Sequence, residues 1–387
     1  MERPLFTAGV LAVLVGVTPD AASTRLNDPP VPNLKKIRLE NGTATAPLFR
    51  GGRATLTINP KLQRTAARLL ARARPVSGAI VVADAKSGHI LAMKGYRRDG
   101  SKTSVSTQHA PSASLFKLVT TAALLEKTPV VPQTKVCVSG GQRRIQLRHL
   151  TAPPRGQGRC AAFSRAIGFS RNAVFAQLAT QHLKPEVLLE AAERFGFNRS
   201  LPFDVPAPMG RIRVPQNNLD FARTAAGFGK SSLSPLGATH LAFAIANGGT
   251  PARLRIVKES KGYAVNKHQD LLQQAIKRRT ARRLTRMMEV TVHSGTSLDA
   301  FTNRYGASYL GGIRVAGKTG TLQPHKTAPT ASWFVGFAPS RNPEVVISVL
   351  LQNGPVWRRK ANEVARDVLR AQFSKRRGVS DPFREAG

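Results

Sequence analysis

Apolar and polar residues alternate with strand spacing near both ends of the chain and with helical spacing between them. Residues 52–59 predict a short strand, and residues 61–74 carry apolar side chains at the spacing of an amphipathic helix. Two apolar runs at 79–84 and 90–93 flank a short polar stretch that contains a Ser-Gly pair. This pattern predicts a β-hairpin.

Helical patterns dominate the middle of the chain. Residues 114–127 (SLFKLVTTAALLEK) are apolar around most of a helix circumference, which is typical of a buried helix, and Pro129 ends it. Further helices are predicted at 185–195, 236–247 and 281–293. The last of these has basic residues on one side and apolar residues on the other.

Strand patterns return at 315–321, 331–338 and 345–351, before a final helix at 361–373. Strands at both ends of a domain with helices between them favour a sheet to which both ends of the chain contribute. We therefore predict an α+β fold in which an antiparallel β-sheet is flanked by helices and joined to a helix-rich subdomain.

The beginning of the chain indicates export. Residues 5–17 form an apolar run that is short for a membrane span and typical of a signal peptide, and small residues follow at 21–23. The alternative is a buried helix of a cytosolic domain. The predicted organisation is a signal peptide or membrane anchor at 1–23, a linker at 24–51, a main domain at 52–373 and a basic tail at 374–387.

The amino-acid composition gives the chain a strong positive charge. Of 387 residues, 59 are Lys or Arg and 21 are Asp or Glu, which gives a net charge of +38. Such a charge favours an anionic partner: nucleic acid, a membrane surface or an envelope polymer. Aromatic residues make up only 6% and no base-stacking motif is present, so nucleic acid is disfavoured. Basic clusters that are either polymer contacts or simply solvated lie at 277–279, 282–283 and 375–377.

The chain has two cysteines, Cys137 and Cys160, in a stretch rich in glycine and proline. A disulfide between them would persist outside the cytoplasm, in agreement with export. The alternative is two separate buried thiols. The absence of a CxxC pair and of His/Cys ligand spacing predicts no metal site.

The first motif with candidate chemistry is Ser114-x-x-Lys117, at the start of the predicted buried helix. Residues three apart share a helix face, so the amine of Lys117 can reach the hydroxyl of Ser114. A lysine on an apolar helix is desolvated, which favours the neutral amine that can act as a base. The alternative is a surface lysine beside a capping serine.

The second motif, Ser170-Arg171-Asn172, offers a hydroxyl and an amide. Ser170 can relay a proton between Lys117 and a leaving group, and Asn172 can hold a substrate amide or Lys117 itself. A bare Ser-x-Asn is also common in turns and helix caps.

The third motif is Lys318-Thr319-Gly320-Thr321 on a predicted strand, where alternate side chains share a face. Gly320 lets a ligand approach the backbone closely, and Thr319 and Thr321 can bind a carboxylate. The backbone N–H groups of Thr321 and Ser114 would form an oxyanion hole.

The three motifs, in this order, resemble those of penicillin-binding proteins and serine β-lactamases. The resemblance to a penicillin-binding-protein transpeptidase domain extends over about 52–373. It is carried by TLTINPKLQRTA at 55–66, GAIVVADAKSGHILAM at 78–93, AERFGF at 192–197, GKSSLSPLGATHLAFAIANGGT at 229–250, HSGT at 293–296, VAGKTGT at 315–321 and SWFVGFAP at 332–339.

The resemblance implies a β-lactamase/transpeptidase-like fold and a serine D,D-transpeptidase of the cell envelope, periplasmic or otherwise extracytoplasmic. Ser114 would form an acyl-enzyme with peptidoglycan stem peptides, with Lys117 as base and Lys318 steering the substrate carboxylate. β-Lactams would acylate Ser114, and no metal or organic cofactor is needed. From the short stretch that precedes this domain, we expect neither a glycosyltransferase nor a long pedestal domain.

Two residues depart from the family pattern: Ala113 stands where glycine is usual, and Arg171 is a large cation in the second motif. Both bear on the level of activity and on β-lactam affinity. The alternatives are a D,D-carboxypeptidase, a β-lactamase that uses Glu186, Glu190 or Glu193 for deacylation, and an inactive module that binds an envelope polymer. A Ser/His/Asp hydrolase is disfavoured because G-x-S-x-G is absent.

Overall fold

The computed structural model describes residues 31–260, 263–264, 271–379 and 383. The described strands are β1 Arg38–Glu40, β2 Thr43–Pro47, β3 Arg53–Leu56, β4 Ser77–Asp84, β5 Ile90–Arg97, β6 Ala110–Pro111, β7 Lys135–Val138, β8 Arg159–Ala162, β9 Gly210–Ile212, β10 Ser231–Leu233, β11 Val257–Ser260, β12 Tyr263–Ala264, β13 Ala316–Leu322, β14 Thr330–Ala338 and β15 Val345–Asn353. The described α-helices are α1 Pro60–Ala73, α2 Lys117–Lys127, α3 Asn172–His182, α4 Pro185–Arg194, α5 Asn218–Ala225, α6 Pro235–Ala246, α7 Arg278–His293, α8 Leu298–Phe301 and α9 Ala361–Gln372.

The central sheet contains five antiparallel strands in the order β13-β14-β15-β4-β5. The hairpin β4–β5 from the start of the chain pairs with β15 from its end, as in the register of Ile80 with Val349. The prediction of an antiparallel sheet completed by both ends of the chain is confirmed. Because β13 lies at the edge of this sheet, one side of its backbone is free of strand pairing.

Both faces of the central sheet are covered, so β14 and β15 are buried almost throughout. Along β4, Val81 faces the core on the side of α6 and the helical subdomain, whereas Ile80 and Val82 face the core that contains α1 and α9. This explains why these strands are continuous apolar runs rather than alternating ones.

The helix-rich subdomain is built around α2, whose residues from Lys117 to Leu125 are all buried. Helices α3, α4 and α7 pack against it. Phe116, just before α2, packs edge-on against Phe197 with ring centroids 5.6 Å apart. The apolar circumference of 114–127 therefore predicted the helix and its burial correctly.

The prediction of a linker at 24–51 is wrong for its described part. Strands β1 and β2 pair with each other, β2 pairs with β3, and β3 pairs with β11, so they form a second sheet. Ala44 and Ala46 are buried in its inner face. Strands β1 and β2 are three and five residues long, so the local pattern carried little signal.

The two ends of the chain are only partly described. The predicted signal peptide or anchor at 1–23 lies outside the described residues. Where the chain is described, no helix has the length and apolar character that crossing a membrane requires. The predicted basic tail is in part attached to the domain: Arg376 donates to both carboxylate oxygens of Glu344, and the Phe383 ring lies under Arg68 at 4.1 Å.

A disulfide joins Cys137 and Cys160 across the two-stranded hairpin β7–β8. The two residues are separated by 23 positions along the chain. A crosslink across a loop of this size restricts the unfolded chain and stabilises the fold by about 3 kcal/mol.

We expect the Cys137→Ser/Cys160→Ser double variant to unfold with a free energy lower by about 3 kcal/mol, because its unfolded chain is less restricted. Urea unfolding of the wild type and the variant measures the difference. A reductant should lower the stability of the wild type and leave the variant unchanged. Equal stability of both proteins under oxidising conditions would contradict this expectation.

Candidate active site

Ser114 lies in a short turn before α2 rather than in the helix itself. Ala113–Leu115 form a 3-10 turn, and α2 begins at Lys117, so the predicted helix start at 114 is three residues early. Ala113 has φ 48°, a left-handed conformation that costs a non-glycine residue about 1 kcal/mol. Gly227 supports the turn, because a Cβ there would collide with the carbonyl of Ala113.

The amine of Lys117 lies at the centre of a polar cluster. Its Nζ donates to Ser114 Oγ at 2.7 Å, to Ser170 Oγ at 3.3 Å and to Asn172 Oδ1. The side chain is fully buried. A lysine amine has three N–H donors when charged, and each of these acceptors can satisfy one.

The second motif reaches this cluster from the loop before α3. Ser170 donates to Ser114 Oγ at 3.0 Å, and its own φ of 51° is again left-handed. Asn172 is the first residue of α3, and its Nδ2 donates to the carbonyl of Gln142. The amide of Asn172 is therefore oriented, with its oxygen towards Lys117.

The third motif closes the cluster from β13. Lys318 donates to Ser170 Oγ at 3.0 Å and to the carbonyl of Thr319 at 2.7 Å, and it is fully buried. A Cβ at Gly320 would lie 3.3 Å from the Cβ of Ala113 and 3.5 Å from the backbone nitrogen of Ser114. The edge strand thus packs directly beside the Ser114 turn.

Thr319 and Thr321 alternate with the buried residues of β13 and remain accessible to solvent, Thr321 more so. Thr296, in the turn after α7, shares a hydrogen bond of 2.7 Å with Thr319 through their hydroxyls. Neither Thr296 nor Gln142 was among the predicted site residues. Thr296 belongs to the HSGT stretch at 293–296, whereas Gln142 carries no signal of its own.

Burial also sets the charge state of the two amines. It lowers the pKa of Lys117 well below its usual value, and the like charge of Lys318 lowers it further. Burial lowers the pKa of Lys318 to about 7. A neutral amine 2.7 Å from a serine hydroxyl can accept its proton, so the geometry fits an activated serine nucleophile.

The structure brings the predicted residues Ser114, Lys117, Ser170, Asn172 and Lys318 into one hydrogen-bonded cluster. No group of three metal-ligating side chains occurs in the ranges that the structure describes. Glu190, one of the candidate deacylating residues, pairs with Lys127 at 3.4 Å. Lys127 is at the opposite end of α2 from Lys117, about 15 Å along the helix.

An antiparallel sheet beside a helical subdomain, with a Ser-Lys pair between them, defines the β-lactamase/transpeptidase-like class. The family model described as the penicillin binding protein transpeptidase domain matches residues 78–373. The chain therefore belongs to the penicillin-binding-protein transpeptidase family.

Named relatives support this assignment. The peptidoglycan D,D-transpeptidase PbpA of Mycobacterium tuberculosis is 26% identical over 348 residues, which cover 79% of this chain and 68% of the relative. Stage V sporulation protein D of Bacillus subtilis is 27% identical over 328 residues, 77% of this chain and 49% of the relative. The D,D-transpeptidase domain of a peptidoglycan glycosyltransferase from Eggerthella lenta has a TM-score of 0.68 at 26% identity, with 84% of each chain covered.

The buried amine of Lys318 predicts a pH-dependent stability. Its pKa is about 7 in the folded chain against a usual value of 10.5. At a pH between these two values, the unfolded chain therefore binds more protons than the folded chain. The free energy of unfolding should rise across this window by on the order of 1 kcal/mol per pH unit from this group. Lys318→Met removes the group, so urea unfolding should show a shallower rise for the variant. Parallel pH profiles would contradict the prediction.

Proposed function

We propose that the chain is a serine D,D-transpeptidase that cross-links peptidoglycan stem peptides through an acyl-enzyme on Ser114 and is inhibited by β-lactams. The observation that carries the proposal is the contact of 2.7 Å between Ser114 Oγ and the buried Nζ of Lys117. Family membership and the similarity to PbpA, which is named a peptidoglycan D,D-transpeptidase, support the substrate class.

In the proposed acylation, the neutral amine of Lys117 takes the hydroxyl proton of Ser114 while Oγ attacks the carbonyl between the two terminal D-alanines. The backbone N–H groups of Ser114 and Thr321 would stabilise the resulting oxyanion. Collapse of the tetrahedral intermediate breaks the peptide bond, and the leaving amine takes up a proton. Ser170 is the proposed relay for that proton, because its Oγ contacts both Lys117 and Lys318.

The substrate's terminal carboxylate is assigned to the outer side of β13. Thr319 and Thr321 offer hydroxyls there, and Thr296 orients the hydroxyl of Thr319. Lys318 is proposed to act on this carboxylate mainly through its positive field, since its N–H groups already contact Ser170 and the carbonyl of Thr319.

In the second half of the reaction, the amine of a neighbouring stem peptide attacks the ester of Ser114 and forms the cross-link. Rapid transfer to water would instead define a carboxypeptidase or a β-lactamase. The ion pair between Glu190 and Lys127 at the far end of α2 does not favour a β-lactamase that uses Glu190 for deacylation.

We further propose that the chain acts on the outer side of the cytoplasmic membrane, in the periplasm or its equivalent. The apolar run at 5–17 is typical of a signal peptide. The disulfide between Cys137 and Cys160 fits an oxidising compartment. Peptidoglycan, the proposed substrate, is itself a polymer of the cell envelope.

Ser114→Ala should abolish covalent labelling by a fluorescent penicillin, because the acyl group has no oxygen to attach to. Label on the intact protein is followed over time. The matched control is Ser374→Ala, because Ser374 is an exposed serine after α9. Stable label on the wild type and the control supports the transpeptidase proposal. Label on Ser114→Ala would exclude Ser114 as the nucleophile, and label lost within seconds would indicate hydrolysis.

Lys117→Ala should slow acylation by a factor on the order of 10² to 10⁴, the usual effect of losing a general base. Lys127→Ala is the matched control, since Lys127 is on the same helix but pairs with Glu190 at the surface. The initial rate of labelling measures both variants. An unchanged rate in Lys117→Ala would remove this amine from the mechanism.

A further inference from the structure

A groove with a volume of about 1120 Å³ runs along one side of α7 from Arg278 to Glu289. One wall is α7, and the other is formed by the end of α6, by a residue two positions before β13 and by the β14–β15 turn. We call it the arginine groove, because five arginines line it: Arg278, Arg282, Arg286, Arg314 and Arg341.

The arginines of α7 form a regular row. Arg278, Arg282 and Arg286 are four residues apart, so they share one helix face and follow one another at about 6 Å along the axis. All three are exposed. A row of this kind presents guanidinium groups at a repeat that a polymer with regularly spaced anions can match.

The charge of the arginine groove is poorly compensated. Glu289 is the only acidic residue among its described lining residues, and it is already engaged by Ser340 and by Arg314 at 3.8 Å. Among the described residues, no carboxylate lies within 4 Å of the guanidinium groups of Arg278, Arg282, Arg286 or Arg341. Arginine forks bind phosphate in a bidentate manner, which makes phosphate a suitable ligand.

We propose that the arginine groove binds a linear phosphodiester polymer of the cell envelope that carries no bases. The envelope location of this ligand rests on the proposed site of action. The groove is concave, so a flexible chain can enter it but a flat bilayer surface cannot. Nucleic acid is the less suitable polyanion, since the described residues that line the groove include no aromatic side chain to stack bases.

Helix α7 connects the arginine groove with the active site. Its groove arginines, Arg278, Arg282 and Arg286, lie in the first nine residues of the helix, whereas Thr296, which contacts Thr319, lies in the turn after its end. None of the residues of the Ser114 hydrogen-bonded cluster lines the groove, so a polymer there would leave that cluster accessible. The bound polymer would keep the enzyme attached to the anionic envelope while the catalytic residues remain accessible.

The test compares two double variants of the full chain, kept in non-ionic detergent. Arg278→Gln/Arg282→Gln removes two groove cations. Arg279→Gln/Arg283→Gln removes the same charge from the same helix, one residue further along, at positions that do not line the groove. Binding of fluorescent inorganic polyphosphate is measured against salt concentration, with detergent micelles doped with phosphatidylglycerol and single-stranded DNA as competitors.

We expect the groove variant to bind polyphosphate about tenfold or more weakly, with a salt slope reduced by roughly two, and the control variant to stay near the wild type. Equal losses in both variants, or no binding by the wild type, would overturn the proposal. Groove-dependent binding that is tighter to phosphatidylglycerol or to DNA would reassign the groove to a lipid surface or to nucleic acid.

The labelling of Ser114 by a fluorescent penicillin separates this proposal from the proposed function. Both double variants should be labelled at the wild-type rate, which also shows that they are folded. If the wild type is not labelled but its polyphosphate binding depends on the groove, the transpeptidase proposal fails and the groove proposal stands.

Discussion

The site depends on the burial of two lysine amines that share one hydroxyl. Lys117 and Lys318 both contact Ser170 Oγ, and neither amine reaches bulk water. Two ammonium ions this close would repel each other and would each lose hydration. The arrangement is therefore favourable only if at least one amine is neutral near pH 7, and a neutral amine is what the serine beside it requires in order to lose its proton.

The two lysines and Ser170 come from distant parts of the chain. Lys117 begins a helix, Ser170 lies in a loop and Lys318 lies in an edge strand, and Ser170 is 53 residues from Lys117 and 148 from Lys318. Two of the connecting residues, Ala113 and Ser170, have positive φ, a conformation that persists only where neighbouring structure enforces it. For Ala113, the packing of Gly227 and Gly320 against the Ser114 turn supplies that enforcement.

The sequence pattern predicted those strands and helices whose burial is visible in their own residues. The continuous apolar runs of β4 and β14 and the apolar circumference of α2 are consequences of burial on all sides, so their sequences were sufficient. The same reasoning failed for β1 and β2, because strands of three and five residues offer too few alternating positions to form a clear pattern. Within the site, the spacing of Ser114 and Lys117 predicted their contact, whereas the link from Thr296 to Thr319 depends on tertiary packing.

The chain carries a net charge of +38, which creates a positive field around the molecule. The pKa of Lys117, in contrast, is lowered by local causes, first by burial and then by the like charge of Lys318. The field attracts anionic ligands, and the carboxylate proposed to bind at β13 is one. A carboxylate that enters the site would in turn favour the charged form of Lys318, the amine nearest the third motif. The net charge of this chain therefore acts on anionic ligands, whereas the charge states of Lys117 and Lys318 are set by their immediate surroundings.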